Sequence, residues 1–427
     1  MTRTLSLALL AALVAGGASA QALPSPYGLT FPRDGDGPLS ALLRLRDAEA
    51  DYRAAGDSLG FWSRYTQVRA WMEAEAGEHR DALAWFDATG SWARDSVGIL
   101  PPGARAVDAA EYVAEAAGAA RIVMVNEAHH DASSRLLTVE LLPLLYERGF
   151  RYLAAETFNV RDTALTARGY PVDSSGVYTR ETTFAALVRE AVRLGYTLVP
   201  YEIEHGDEPE DDTLTYQQRR DFEQARHLVE RTVGADPDAR VLVHAGYAHI
   251  NEEATERWTP MAYYVRQRTG IDPFTVQQTA LGEMSTPAYE HPAYRAADAA
   301  GLLGDSPVVI VDADGTPLAP NDASVDLQVF RPRARDVGGR PAWLAQLPGR
   351  VRIEVDVPDC PQTCELAVLV PGESAEAVPL DRVATTGGTA TLYVPEDDVW
   401  IRLHDGRTGE AIPMPAWPAA PPTYPDR

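Results

Sequence analysis

The segment Val125-Asn126-Glu127-Ala128-His129-His130-Asp131 sets one carboxylate and two imidazoles close together at the end of an apolar run. A histidine held by a carboxylate can take a proton from water as a general base, and the same pair of groups can bind a metal. Three further apolar runs end in ionisable groups. Glu156 and Thr157 follow residues 152–155, and Glu202, Glu204 and His205 follow 197–200; the run that begins at Val241 continues into His244-Ala245-Gly246-Tyr247-Ala248-His249. A carboxylate at the end of an apolar strand is partly buried and costly unless paired. Glu127, His129, Glu156 and His249 are therefore expected to meet in one site. His244 closes an apolar strand and reads equally as a site residue or a core histidine. Arg135, in the first turn of the next helix, is either an oxyanion contact or a solvated helix residue. Asp131 suits an ordinary helix N-cap, and Glu202, Glu204 and His205, taken singly, suit loops or caps.

The elements that would position these groups alternate. Strands are predicted over 122–125, 152–155, 197–200, 241–243 and 274–276. Helices are predicted over 133–148 (ended by Gly149), 182–194 (ended by Gly195), 215–233 and 261–269. This pattern implies an α/β domain over 104–339, a mostly parallel sheet with helices on both faces, whose ligands bind outside the carboxyl ends of the strands. The ionisable groups lie at those ends. Residues 39–103 carry apolar positions at helical spacing and predict two or three amphipathic helices, preceded by an extended Pro- and Gly-rich arm over 21–38. From 340 to 412, short alternating runs such as RVRIEVDV, CELAVLV and TATLYV predict a small β-rich, sandwich-like domain, and 413–427 is Pro-rich.

The stretch IVMVNEAHHDASSRLLTVELLPLLYERGFRYLAAETF, with VLVHAGYAHINEE and GIDPFTVQQT downstream, resembles the superfamily joining erythromycin-esterase-like hydrolases, ChaN-like haem-binding lipoproteins and TIKI-type metalloproteases. The resemblance covers about residues 104–280. It rests on Glu127 with His129 or His130, then Glu156, then Gly246 with His249; Asn126 stands where the family usually has glycine. The esterase-like members imply metal-independent hydrolysis of an ester or related carbonyl. In that reading His129 or His130 is the base, Glu127 or Glu156 the orienting or co-activating carboxylate, and His249 the electrophilic partner. The TIKI-type members imply a peptidase holding a divalent metal such as Zn or Mn on His129, Glu156 and His249. The ChaN-like members imply a non-enzymatic protein holding haem or another ligand through Tyr or His. The residues themselves demand no cofactor.

Composition narrows the partners. The chain has 427 residues and a formal net charge of −24, which disfavours nucleic acid and anionic membranes and leaves a small molecule or peptide as the expected substrate. Residues 1–20 carry Arg3, an apolar run too short to span a bilayer, and Ala18-Ser19-Ala20. They predict a signal peptide cleaved after Ala20 and export to a periplasmic or secreted location. Cys360 and Cys364 are then expected to form a disulfide.

Overall fold

A computed structural model describes residues 23–57, 60–91, 93–203, 215–320 and 324–414. The predicted signal segment, Glu204, His205 and nearly all of the Pro-rich tail lie outside them.

Six strands make one sheet in which every neighbouring pair is parallel. After a short strand β1 (Arg105–Asp108) come β2 (Ile122–Glu127), β3 (Tyr152–Ala155), β4 (Thr197–Pro200), β5 (Val241–Gly246) and β6 (Phe274–Gln277). The next strand, β7 (Val308–Val311), pairs back antiparallel on β1, and β8 (Leu327–Gln328) completes the sheet in the order β4-β3-β5-β2-β6-β8. The central strands β2 and β5 are buried along their whole length, as apolar runs without polar alternation require. Val123, Val125 and Leu242 face one core with helices α4 (Ala109–Ala116), α5 (Leu136–Glu147) and α7 (Thr182–Leu194). Met124, Val241 and Val243 face another with α8 (Tyr216–Arg231) and α9 (Met261–Thr269).

Three helices, α1 (Ser40–Ala55), α2 (Phe61–Glu75) and α3 (His79–Asp87), precede the sheet and share a core that includes stacked Tyr52 and Tyr65. Two further helices among the described residues are α6 (Leu165–Arg168) and α10 (Pro292–Ala299).

Several boundaries differ from expectation. β2 and β5 run on to Glu127 and Gly246, because pairing continues through Asn126 with Ala245 and Glu127 with Gly246; the site residues thus begin inside strands rather than in loops. Helix formation before α5 starts as a 3-10 turn, Ala132–Arg135, whose first free amide, that of Ser133, is capped by the Asp131 side chain. The helical segment stops at Asp87, since residues 88–104 contain Gly90, Gly98, Pro101, Pro102 and Gly103. The arm over 21–38 is not fully extended, because a 3-10 turn forms at Pro26–Leu29. Within VDLQVF, residues 325–330, Leu327 and Gln328 add β8, a strand absent from the five predicted, to the edge of the parallel sheet through Val276 and Gln277.

The C-terminal region has a small hairpin, β9 (Asp336–Val337) with β10 (Arg340–Pro341), then two antiparallel sheets. One pairs β11 (Arg350–Val357) with β14 (Gly388–Pro395); the other is ordered β13-β12-β15-β16, comprising β12 (Cys364–Leu369), β13 (Asp381–Thr385), β15 (Trp400–Asp405) and β16 (Ala411–Ile412). Val355, Leu392, Leu366 and Leu403 fill the space between them. Cys360 and Cys364 are disulfide-bonded. This region docks on both others: the Ala384 amide donates to Ala76 O (3.2 Å), the Val378 amide to Pro171 O (2.9 Å), and Arg189 pairs with Glu373 (2.7 Å).

Candidate active site

Glu127, last residue of β2, is the hub. Its Oε1 accepts from His129 Nδ1 (2.8 Å) and its Oε2 from His244 Nε2 (3.0 Å), while Arg135 Nε lies 2.8 Å from Oε2. Burial opposes ionisation of this carboxyl, but Arg135, His244 and the two histidine hydrogen bonds hold its pKa well below the usual carboxylate range. An ionised Glu127 only accepts, so His129 carries its proton on Nδ1 and turns the Nε2 lone pair outward. That nitrogen lies 3.9 Å from Glu156 Oε1. Tyr178 stacks on the face of the His129 ring at 3.9 Å between centroids, and Tyr247 meets it edge-on at 5.1 Å. The imidazole is fixed by a carboxylate at one nitrogen and by two rings, with the other nitrogen free to work.

Glu156, one residue beyond β3, faces a second such pair. Its Oε2 accepts from the Gly246 amide (2.6 Å), and its Oε1 pairs with Arg220, which also binds Glu202. Burial opposes its charge, but His249, Arg220 and His129 bring its pKa down to about 2. His249 Nε2 is 4.0 Å from the same Oε1, and its Nδ1 donates to Asp221 Oδ1 (2.6 Å). Asp221 is itself fixed by Trp258 Nε1 and the Met261 amide, both at 2.9 Å. In the neutral ring Nε2 accepts from Arg220 Nη1 (3.0 Å). Burial opposes the charged ring, yet Glu156 and Asp221 prevail and raise the His249 pKa. Protonation makes Nε2 a donor, which must leave Arg220 for Glu156 or a ligand. Two carboxylate-held imidazoles thus face one carboxylate, one set to accept a proton and the other biased to carry one.

Backbone geometry permits this closeness. A Cβ on Gly246 would stand 2.6 Å from His129 Nε2 and 2.8 Å from Glu156 Oε2, so any other residue there would push both side chains aside. Tyr247 follows with φ +42°, alone in positive φ among the described non-glycine residues, a conformation that costs of order 1–3 kcal/mol. Asn126 holds it, donating to Tyr247 O (2.7 Å) and accepting from the Gln278 amide (2.8 Å). Asn126 therefore laces β2 to the ends of β5 and β6.

Three expected site residues take other places. His130 turns away from the carboxylates: it stacks on Phe86 (3.6 Å), meets Tyr247 Oη (3.2 Å), and burial pushes its pKa to about 3. Arg135 is neither solvated nor turned to the cleft; it is fully buried between Glu127, Glu181 (3.1 Å) and His129 O (3.2 Å). His244 is buried and accepts from Thr138 Oγ1 (2.9 Å) while donating to Glu127, so it orients rather than reacts. Arg220, Asp221 and Tyr178 escape sequence reasoning, because nothing local in their segments marks them; Tyr247 stands within a segment singled out from the sequence, but its contact with the His129 ring shows only in the fold. Gly56-Asp57-Ser58-Leu59-Gly60 has the spacing of a nucleophile elbow, but it joins two helices rather than a strand and a helix, and Ser58 and Leu59 lie outside the described residues.

His129, Glu156 and His249 do not fit a divalent metal. Arg220 occupies the space between Glu156 and His249, so a metal on those two would sit against a fixed cation. Among the described residues no group of three or more His, Cys, Asp or Glu is arranged to hold a metal ion. A haem iron on His129 Nε2 would have to displace Glu156.

The site opens into a cleft of about 2000 Å³ lined by all three regions, including His129, Glu156, Tyr178, Arg220, Arg382 and Trp400. No protein-family model matches the chain, and no curated protein is significantly similar. Among solved structures, the type III effector HopBA1 is 14% identical over 44% of this chain and 90% of its own, with a TM-score of 0.28. RRSP, a MARTX toxin effector domain from Vibrio vulnificus CMCP6, is 15% identical over 56% of this chain and 45% of its own, at 0.30. A structure described as bacterial protein toxins is 14% identical over 58% and 48%, at 0.31. The chain thus spans about half the length of the last two, and the likeness is loose. Among the described residues no helix is long and apolar enough to cross a membrane.

Proposed function

We propose that this chain is an exported hydrolase in which His129 activates water to attack an ester or related carbonyl, and that residues 104–339 belong to the erythromycin-esterase-like, ChaN-like and TIKI-type superfamily. The observation that carries the reading is the Glu127–His129 pair, with Nε2 turned to an open cleft and Glu156 3.9 Å away. Water held between Nε2 and Glu156 gives its proton to Nε2 as its oxygen bonds to the carbonyl carbon. The oxyanion that forms is met by Arg220 and the protonated His249. When the tetrahedral adduct collapses, the proton on His129 passes to the leaving alkoxide, which departs as the alcohol. The positions of Glu127, His129, Glu156, Gly246 and His249 support the superfamily assignment, and the disulfide is compatible with an oxidising compartment.

The test is hydrolysis of p-nitrophenyl acetate by the purified protein. His129→Gln is expected to lower kcat by about 10²–10⁴-fold, and His130→Gln to leave it within a few fold, with activity indifferent to EDTA. The reading falls if the wild-type protein is no faster than its heat-inactivated control, or if His130→Gln abolishes the reaction while His129→Gln spares it.

A further inference from the structure

Seven large hydrophobic side chains are exposed among the described residues, and five of them, Tyr27, Phe31, Val177, Tyr216 and Trp400, line the cleft above His129. They come from separate parts of the chain: the N-terminal arm, the loop before Tyr178, the start of α8 and β15. Exposed apolar side chains gathered in one concavity mark a ligand surface, whereas scattered ones carry no meaning. Rings also connect rim to floor. Tyr27 packs on Trp71 (5.7 Å between centroids), Trp71 meets Tyr178 edge-on (5.8 Å), and Tyr178 stacks on His129 (3.9 Å). Trp400, half-exposed, has the Arg402 guanidinium 4.8 Å over its ring. The cleft volume of about 2000 Å³ exceeds the roughly 300–1,000 Å³ that holds a drug-sized ligand, so a small ester would leave most of it to water.

We infer that the substrate is an ester with a long or bulky apolar body, which lies along the rings of Tyr27, Trp71 and Tyr178 and against Phe31 and Trp400, with its carbonyl at His129. This rests on the hydrolase reading above and adds the substrate class. The N-terminal arm and the β-rich region then act as walls of the binding site.

The test compares p-nitrophenyl acetate with p-nitrophenyl octanoate, both as monomers, and measures binding of the uncleavable ketone 2-octanone by calorimetry. Burial of the added methylenes predicts a kcat/KM about ten-fold or more higher for the octanoate. Phe31→Ala and Trp400→Ala should bring that ratio towards one and weaken ketone binding, whereas Ile99→Ala, exposed but away from the cleft, should change neither. Cleavage of both esters at equal kcat/KM, or a ratio that Phe31→Ala and Trp400→Ala leave unchanged, overturns the substrate class and leaves the hydrolase reading standing. Ketone binding weakened by the same two substitutions, with neither ester cleaved, overturns the hydrolase reading and supports the apolar site.

Discussion

Glu127 serves three partners with two oxygens, and that determines what its loss does. In Glu127→Gln the amide nitrogen cannot accept, so one of the two histidine hydrogen bonds is lost and Arg135, fully buried, keeps Glu181 as its remaining carboxylate. Leaving a buried cation short of its partner costs about 3 kcal/mol, and His129 can then flip. The expected outcome is a fall in kcat of about 10² or more together with a lower denaturation midpoint. Unchanged stability would sink the account of Arg135. Glu156 and His249 make opposite contributions with pH. The folded pKa of Glu156 is lowered from 4.5 to about 2, so its stabilisation is present above 4.5 and is lost as pH falls through about 2. The folded pKa of His249 is raised from 6.5, so its stabilisation is complete below 6.5 and is lost as pH rises through the higher folded value. His249→Gln is therefore expected to lower the melting temperature more at about pH 5.5 than at about pH 9. An equal effect at both would mean that the ring folds uncharged.

At the scale of elements, the strands were legible because they are buried on both faces and so read as continuous apolar runs; β3 and β4 fall on their predicted residues. Gly149 and Gly195 stop their helices as expected, Gly195 in the left-handed region at φ +98°. Glu127, Glu156 and His249 were legible for the same reason, being charge placed where apolar strands end. Arg220 and Asp221 were not. They lie on a helix rich in polar residues, and only the fold brings them to Glu156 and His249. Spacing places His129 only slightly ahead of His130, since the choice depends on Phe86 and Tyr178, which arrive from other elements. The end of β5 offers a direct test of this positioning. Gly246→Ala changes no ionisable group and no required φ, since Gly246 sits at φ −73°, yet it drives a methyl group against His129 and Glu156. Displacement of this order costs about 10²-fold in rate. Gly246→Ala is expected to keep its fold by circular dichroism and lose activity by that order; full activity would show that the two side chains need not approach so closely.

Across the whole molecule, the cleft exists because the β-rich region is locked to the other two, and the lock comes within two residues of the Tyr178 ring that stacks on His129. Arg382 of β13 is nearly buried, 3.8 Å from Glu75 of α2 and 3.4 Å from Glu365 of β12. Glu75 also faces Arg180 at 3.4 Å, two residues from the Tyr178 that stacks on His129. Removing Arg382 takes from the buried Glu365 the cation that most offsets its burial, and loosens the Glu75–Arg180 pair. Removing one member of a buried ionic network costs about 3–5 kcal/mol. Arg382→Ala should therefore lower the melting temperature and raise amide exchange in both α2 and β13–β14, while the central strands β2 and β5 stay protected. Because Tyr178 carries the apolar body of the proposed substrate, KM for p-nitrophenyl octanoate should rise more than kcat falls. Increased exchange confined to β13–β14, with α2 and KM unaffected, would mean that the β-rich region is an independent appendage and not a wall of the site.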